Sequence, residues 1–192
     1  LASQLDLDDG NYWSFAHAGA AVIPAALAAA EARQRSGRDL LAAIVIGYEI
    51  TNYAGAILNA HHRERFYGTG SGACYGAAAA VARLVGCDTA IAGHALGIAR
   101  AHLPVSPILE FAVQGPMPKE SIGWGAMTGT MAALLAEKGF TGPANNLDEP
   151  HHTADSDLTP LAQLGKHYTI VDTYRKFYPA CLWTHAAVGA AL

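Results

Sequence analysis

Charged residues are scarce in this chain of 192 residues, at 15% of the sequence against the roughly 25% typical of globular domains. Hydrophobic residues make up 52%. So little polar surface would not cover a solitary domain, and we expect much of the surface to meet other protein. The length predicts a single domain over residues 1–192. Leu1 in place of Met, and an apolar helical pattern still running at Leu192, predict that this domain is incomplete at both ends.

Basic residues and cysteines are also few. With 12 Lys and Arg against 16 Asp and Glu, the net charge is -4, and no basic face is present for nucleic acid. The three cysteines are too scattered for a disulfide framework or a zinc knuckle, and they fit a reducing compartment. We therefore expect a cytoplasmic protein that does not bind nucleic acid.

Uninterrupted apolar runs are missing as well. The best candidate for a membrane span, residues 40–58, contains Glu49 and Asn52, and the run from Ala73 is broken by Arg83. A spanning helix needs about 20 nearly uncharged residues. These segments are predicted to be buried core helices, with no membrane association.

Helical periodicity is what the sequence does contain, and it predicts an all-α fold. The first helix has Pro24 in its first turn, and Gly139 is predicted to end the last one. Residues Tyr168–Val171 form the only convincing strand. Small residues recur along the helices, which predicts close approach between their backbones. The predicted helices cover about 23–34, 36–59, 72–84, 88–100 and 122–138.

A first candidate site lies just before the first helix, where Asp6, Asp8, Asp9 and His17 occur within one loop. Carboxylates beside a histidine are suited to general acid–base chemistry near neutral pH. The alternative is structural: Asp8 and Asp9 cap and solvate a turn, and His17 is a satisfied residue at the helix entry.

A second candidate site is the glycine-rich segment that follows Tyr67, made of Gly68, Thr69, Gly70, Ser71 and Gly72. Backbone N–H groups at the start of a helix can bind a carboxylate or a phosphate. A flexible glycine turn explains the same residues equally well.

Two lysines lie in settings that are unusual for a solvated side chain. Lys119 separates a Pro-bounded loop from a Gly-rich helix, and Lys176 lies among aromatic residues. Together they could hold two carboxylates of one substrate, although solvated lysines with packed stems are the commoner case.

Metal ligands and nucleophiles are poorly represented. The adjacent pairs His61–His62 and His151–His152 are poor chelates, and HExxH and CxxC patterns are absent, so no metal site is expected. Cys181 has only His185 as a nearby base and is predicted to be a buried, inert thiol.

Five stretches, in this order, resemble the MmgE/PrpD family: residues 6–31, 36–50, 65–86, 117–143 and 174–188. Its members include 2-methylcitrate dehydratase, cis-aconitate decarboxylase and iminodisuccinate epimerase. The resemblance implies a large helical domain, completed in full-length members by an N-terminal segment and an α/β lid that we expect this chain to lack. It further implies a homodimer that needs no metal and no organic cofactor.

The resemblance also assigns roles. Asp6 and His17 match the acidic residue and the histidine of the family's first active-site loop, while Lys119 and Lys176 match its two lysines. The implied substrate is a small polycarboxylic acid, bound by Tyr67, Gly68, Thr69, Gly70, Ser71 and Cys181. His17, oriented by Asp6, would move the proton next to a carboxylate.

Two departures from the family pattern bear on the reaction. Decarboxylase-like members carry histidine where this chain has Tyr67 and Cys181, and the family's usual HPG reads His17-Ala18-Gly19 here, so a cis-aconitate decarboxylase is disfavoured. A tyrosine with a pKa of about 10 is a weaker acid than histidine at neutral pH. A 2-methylcitrate dehydratase-like reaction is the first expectation. An epimerase or decarboxylase of the same family, or a non-catalytic helical partner subunit, are the alternatives.

Overall fold

Helices carry nearly all the regular structure of this chain. The computed structural model describes residues 2–58, 68–105, 121–143 and 162–192. Within these ranges, three single-turn 3₁₀ helices and one pair of two-residue strands accompany the α-helices, so the predicted all-α class is confirmed. The elements of the described ranges are α1 (Ala18–Ala32), α2 (Gly37–Leu58), α3 (Thr69–Val85), α4 (Thr89–Ala101), α5 (Ile122–Glu137), α6 (His185–Ala191), β1 (Asp9–Gly10), β2 (Tyr174–Arg175) and the 3₁₀ turns Ser3–Leu5, Thr169–Asp172 and Leu182–Thr184.

Helix α3 is the centre of the fold: it packs against α1, α2, α4 and α5, and almost all of its residues are buried. Small residues make these contacts possible, because a Cβ at Gly76 would lie 2.4 Å from the carbonyl oxygen of Gly47. A Cβ at Gly129 would lie 2.2 Å from that of Cys74. The predicted close approach of helix backbones is therefore confirmed.

Two helices begin earlier than predicted. Helix α1 starts at Ala18, not near residue 23, so Pro24 lies inside the helix and not in its first turn. Helix α3 starts at Thr69, not at Gly72, so the predicted loop glycine Gly70 is already helical. In both cases the added turn is buried against the core. Packing thus outweighs the weak helix propensity of glycine and the backbone cost of proline.

The predicted helix ends are confirmed where their capping groups lie in the local sequence. Ser36 and Asp39 form a reciprocal box, in which the Ser36 hydroxyl donates to Asp39 Oδ2 (2.7 Å) and accepts from the Asp39 N–H (3.2 Å). The Asp88 side chain accepts from the Ile91 N–H at 2.8 Å and starts α4. Gly139 follows α5 with a φ of 89°, a conformation that glycine adopts without strain.

The predicted strand at Tyr168–Val171 is wrong. Thr169–Asp172 forms a 3₁₀ turn, because the Thr169 hydroxyl is buried between two polar side chains of α2. The strand pairing lies a few residues later, where β2 runs antiparallel to β1 with Asp9 opposite Arg175.

Helix α2 is long and apolar enough to cross a membrane by length and composition alone. More than half of its most apolar window, 56%, is nevertheless buried inside the protein. Glu49 and Asn52 are among its buried residues. This burial is what the sequence predicts for a core helix.

Candidate active site

A cavity of about 990 Å³ opens between the N-terminal segment, the first half of α1 and the segment that follows Thr169. Its wall is largely apolar but contains three carboxyl groups and two basic side chains. The residues that line it are Ala2, Asp6, Leu7, Asp8, Asp9, Gly19, Ala20, Ile23, Pro24, Tyr48, Ile170, Thr173, Arg175, Lys176, Phe177, Tyr178 and Pro179.

The structure brings together Asp6 and Lys176, two of the predicted catalytic residues that lie 170 positions apart in the sequence. Lys176 Nζ is 3.4 Å from Asp6 Oδ1 and 2.5 Å from Asp8 Oδ1. The side chains of Lys176 and Asp8 are only 4% and 3% exposed, so this ion pair is buried. Burial lowers the pKa of a lysine, but the two aspartates outweigh it and hold the pKa of Lys176 above its usual value. Lys176 is therefore a fixed positive charge in the cavity wall.

Asp9 is held by different partners. Its carboxyl group accepts a hydrogen bond from the Tyr48 hydroxyl at 2.6 Å and another from the N–H of Gly19, in the first turn of α1, at 3.0 Å. An acidic group at this position also interacts favourably with the positive end of the helix dipole. Burial, followed by the neighbouring Asp9, raises the pKa of Tyr48 far above its usual value. The structural alternative from the sequence, a capping role, therefore fits Asp9 but not the buried Asp8.

His17 is not among the residues that line the cavity, but it contacts two of them, Asp8 and Asp9, and its side chain is 12% exposed. Its Nδ1 forms a hydrogen bond with the main-chain oxygen of Asp9 and is 3.9 Å from Asp8 Oδ1. Because a carbonyl oxygen can only accept, Nδ1 donates this hydrogen bond, and in the neutral tautomer that fits it Nε2 is the unprotonated atom. These contacts run to Asp9 and Asp8, whereas the sequence predicted Asp6 as the residue that orients His17.

A buried hydrogen-bond chain holds the two segments of the site in register. The Ser14 hydroxyl donates to Asn52 Oδ1 (2.9 Å), the Asn52 amide donates to Thr169 Oγ1 (2.9 Å), and Thr169 donates to Glu49 Oε1 (2.6 Å). All four side chains are buried. These hydrogen bonds link the His17 loop, helix α2 and the segment before Lys176. They explain why α2 has polar residues on its buried face.

The β1–β2 pair adds a second link between these segments. The ring of Tyr174 lies over Gly10, where a Cβ would come within 2.2 Å of the Tyr174 hydroxyl oxygen. A larger residue at position 10 would have to displace the Tyr174 ring. Burial, followed by the nearby Tyr12, raises the pKa of Tyr174 to about 12. Tyr174 is therefore neutral at physiological pH and serves as a packing residue beside the site.

The glycine-rich segment Gly68–Ser71 does not line this cavity. Gly70 packs directly on Ser121, where a Cβ would lie 2.3 Å from the carbonyl oxygen. The Ser71 hydroxyl donates to the main-chain oxygen of Gly68 at 2.6 Å. Gly68, Thr69, Gly70 and Ser71 are all buried. These contacts give the segment a packing role between α3 and α5, and its predicted part in binding a carboxylate stays a prediction.

Comparison of the sequence with models of known protein families identifies the family of this chain. A model of the MmgE/PrpD N-terminal domain matches residues 1–158. The chain belongs to the MmgE/PrpD family. This family is generally enzymatic and includes several activities. No curated protein matches the chain. The family match covers Asp6 and His17, whereas Lys176 lies beyond its end, so the contact between Asp6 and Lys176 is a separate observation from the structure.

Of the remaining predicted site residues of this MmgE/PrpD chain, one is described by the structure and two are not. Tyr67 and Lys119 lie outside the described residues, as do the two histidine pairs. Cys181 was predicted to be buried and is exposed, because the chain there forms a surface 3₁₀ turn in which Thr184 donates to the Cys181 carbonyl oxygen at 2.7 Å. Within the described ranges, no three His, Cys, Asp or Glu residues are grouped so that they could hold a metal ion.

Four polar residues that line the cavity were not predicted from the sequence to be catalytic or substrate-binding residues. Asp8 and Asp9 were noted in the acidic loop, but only Asp6 was chosen from it. Arg175 was passed over in favour of its neighbour Lys176. Tyr48 gave no signal, because it reaches the site only through the packing of α2 against the N-terminal segment.

Proposed function

We propose that this chain forms part of the active site of a lyase that dehydrates a small polycarboxylic acid of the 2-methylcitrate type. The observation that carries the proposal is the buried Lys176 ammonium group, fixed by Asp8 and Asp6 in the wall of a large cavity. A permanent positive charge in a largely apolar wall is suited to stabilising negative charge that develops on a substrate.

In the proposed reaction the substrate lies against the part of the wall that His17 contacts through Asp8 and Asp9, and His17 Nε2 removes the proton from the carbon next to a carboxylate. The electron pair of the C–H bond forms the C=C bond, and the C–O bond to the hydroxyl group breaks. The imidazolium ion returns its proton to the departing hydroxide, which leaves as water. The Nδ1 hydrogen bond to Asp9 supports this role, because it keeps Nε2 basic.

Lys176 would stabilise negative charge on the substrate and would not transfer a proton. The raised pKa makes its ammonium group a poor proton donor, but leaves it charged throughout the neutral range. In the proposal it stabilises the enolate-like charge that develops beside the carboxylate, and Lys119 contributes a second positive charge.

The test is turnover of 2-methylcitrate, citrate and cis-aconitate by the purified full-length protein and by a His17→Gln variant. Loss of the base is expected to lower kcat by about 100-fold or more. His94→Gln is a matched control, because His94 Nδ1 also bonds a main-chain oxygen, that of Gly142 at 2.8 Å, but on α4. Its kcat is expected to stay within about twofold of wild type, since His94 is half-buried on α4 and does not line the cavity.

The same assays separate the alternatives. Release of carbon dioxide would reassign the protein as a decarboxylase, and inversion without loss of water would reassign it as an epimerase. A wild-type protein that acts on none of these acids would leave the non-catalytic helical subunit as the better explanation. A His17→Gln variant as active as His94→Gln would remove His17 from the mechanism.

We also propose that the protein is a cytoplasmic homodimer that uses no metal or organic cofactor. The apolar face of α5 supports association, because Trp124, Met127, Met131 and Leu135 are exposed along successive turns. Light scattering of the purified protein tests this part separately from the chemistry.

A further inference from the structure

The cavity wall has more acidic than basic side chains. Among the described lining residues, Asp6, Asp8 and Asp9 face only two basic residues, Lys176 and Arg175. A polycarboxylate carries several negative charges at neutral pH, so such a wall would repel it unless an unpaired positive charge is available. The ion pairs of the two basic residues therefore decide which of them can receive a substrate carboxylate.

The positive charge of Lys176 is already balanced by two carboxyl groups of the protein. Its ammonium group contacts Asp8 at 2.5 Å and Asp6 at 3.4 Å, and its side chain is almost fully buried. A substrate carboxylate would have to compete with two carboxyl groups that the protein itself supplies. Lys176 can stabilise developing charge, but it is poorly placed to provide the binding energy for a whole carboxylate.

Arg175 is in the opposite situation. It lines the cavity from its exposed rim, and in the part of the chain that the structure describes it forms no ion pair. Asp9 lies directly across the β1–β2 pair, but its carboxyl group is bound by Tyr48 and by the N–H of Gly19. The guanidinium group is therefore left with its planar set of donors, a geometry that matches a carboxylate in a bidentate contact.

We propose that Arg175 anchors one carboxylate of the substrate and sets the preference for acids with more carboxylates. The inference rests on the proposed function, because it assigns a role within the same cavity. Its position is fixed by the structure: the pairing of β1 with β2 and the contact of Tyr174 with Gly10 hold the Arg175 backbone at the cavity edge.

The experiment measures binding of tricarballylate, a tricarboxylate without a hydroxyl group to lose, by titration calorimetry on the full-length protein. Arg175→Gln removes the charge and keeps a polar side chain, and it is expected to raise Kd by about fivefold or more, because hydrogen bonds to charged groups are the stronger ones. Arg175→Lys keeps the charge without the bidentate geometry and is expected to recover part of the affinity. Binding of glutarate, which has one carboxylate fewer, should change less.

Arg38→Gln is the matched control, since Arg38 is exposed on α2 and does not line the cavity. It removes one positive charge, as Arg175→Gln does, and is expected to leave Kd near the wild-type value. In turnover assays Arg175→Gln should raise KM more than it lowers kcat, whereas His17→Gln should act on kcat. Equal circular dichroism spectra and unfolding midpoints establish that the variants are folded.

The outcomes separate the two proposals. A wild-type protein that neither binds nor converts any polycarboxylate overturns the proposed function and this inference with it. A wild-type protein that binds tricarballylate, with Arg175→Gln and Arg38→Gln giving the same Kd, overturns the anchor alone and leaves the proposed function standing.

Discussion

Replacing Asp8 with asparagine removes one charge from the buried pair that it forms with Lys176. The substitution keeps the volume and one oxygen of the side chain. Lys176 then keeps its positive charge in a buried position, and among the described residues Asp6, at 3.4 Å, is the ion-pair partner that remains. The expected result is a loss of stability, because a buried charge without its partner is costly.

The size of the loss follows from the geometry. Breaking a fully buried ion pair by removing one partner costs about 3–5 kcal/mol. Asp6 remains and is less buried than Asp8, so it compensates in part. A loss of about 2–3 kcal/mol in the free energy of unfolding is therefore expected for Asp8→Asn, below the cost of breaking a fully buried pair that has no second counter-charge.

The assay is urea unfolding followed by circular dichroism, for Asp8→Asn, Lys176→Met and the double variant. The double variant is expected to be more stable than the sum of the single losses predicts, with a coupling energy of about 1–3 kcal/mol. The surface pair Arg33–Glu137 is the control: its atoms are 2.7 Å apart, but the Arg33 side chain is 36% exposed. Glu137→Gln should have a much smaller effect, because solvent screens an exposed pair.

One result would refute this reasoning. If Asp8→Asn destabilises the protein no more than Glu137→Gln does, the pair behaves as a solvated one, and the description of Lys176 as a fixed buried charge is wrong. The argument that Lys176 is already neutralised would then fail too, and with it the reason for preferring Arg175 as the anchor.

Two further predictions concern alkaline pH and helix packing. The pKa of Tyr174 is raised to about 12 and that of Lys176 lies above its usual value, so the folded state holds both protons more tightly than the unfolded state does. Their contribution to stability is present below about pH 10 and is lost as the pH rises towards 12, and a urea midpoint that stays constant over this range would contradict it. Gly70→Ala would place a Cβ 2.3 Å from the Ser121 carbonyl oxygen and is expected to cost about 1–3 kcal/mol in unfolding free energy, as overpacking does. At Gly93→Ala, in α4, the new Cβ would meet no atom within 4 Å beyond the adjacent residues and the backbone of its own helix, and the variant is expected to gain up to about 1 kcal/mol. Equal effects of the two substitutions would show that packing does not determine the sign of the change.

The parts of the fold that were predictable depend on local sequence. Asp88 and the Ser36–Asp39 box mark helix starts by their own hydrogen bonds, and Gly139 marks an end by its positive φ. The starts of α1 and α3 were missed, because nothing in the local sequence shows that Ala18 or Thr69 is buried by other helices. The strand predicted around Thr169 failed for the same reason: partners from α2 decide its conformation.

The candidate site divides in a similar way. The chemistry of Asp6, His17 and Lys176 was visible as residue types in unusual settings, and the structure places Asp6 against Lys176. The contact of Asp8 with Lys176 was not visible, because acidic residues adjacent in sequence give no sign of which one turns inward. The orientation of His17 by Asp9 depends on a main-chain oxygen, and a main-chain oxygen leaves no mark in the sequence at all.

Arg175 and Lys176 show how far residue type alone can be misleading. They are adjacent, basic and surrounded by aromatic residues, so residue type and setting offer no reason to give them different roles, and it is the family resemblance that singled out Lys176. In an extended segment successive side chains point to opposite sides, and here one is buried against Asp8 while the other is exposed at the cavity rim. The two positive charges therefore serve different purposes in the proposals. Lys176, paired with carboxyl groups of the protein, stabilises the negative charge that forms during the reaction. Arg175, unpaired among the described residues and exposed at the rim, binds a carboxylate of the substrate.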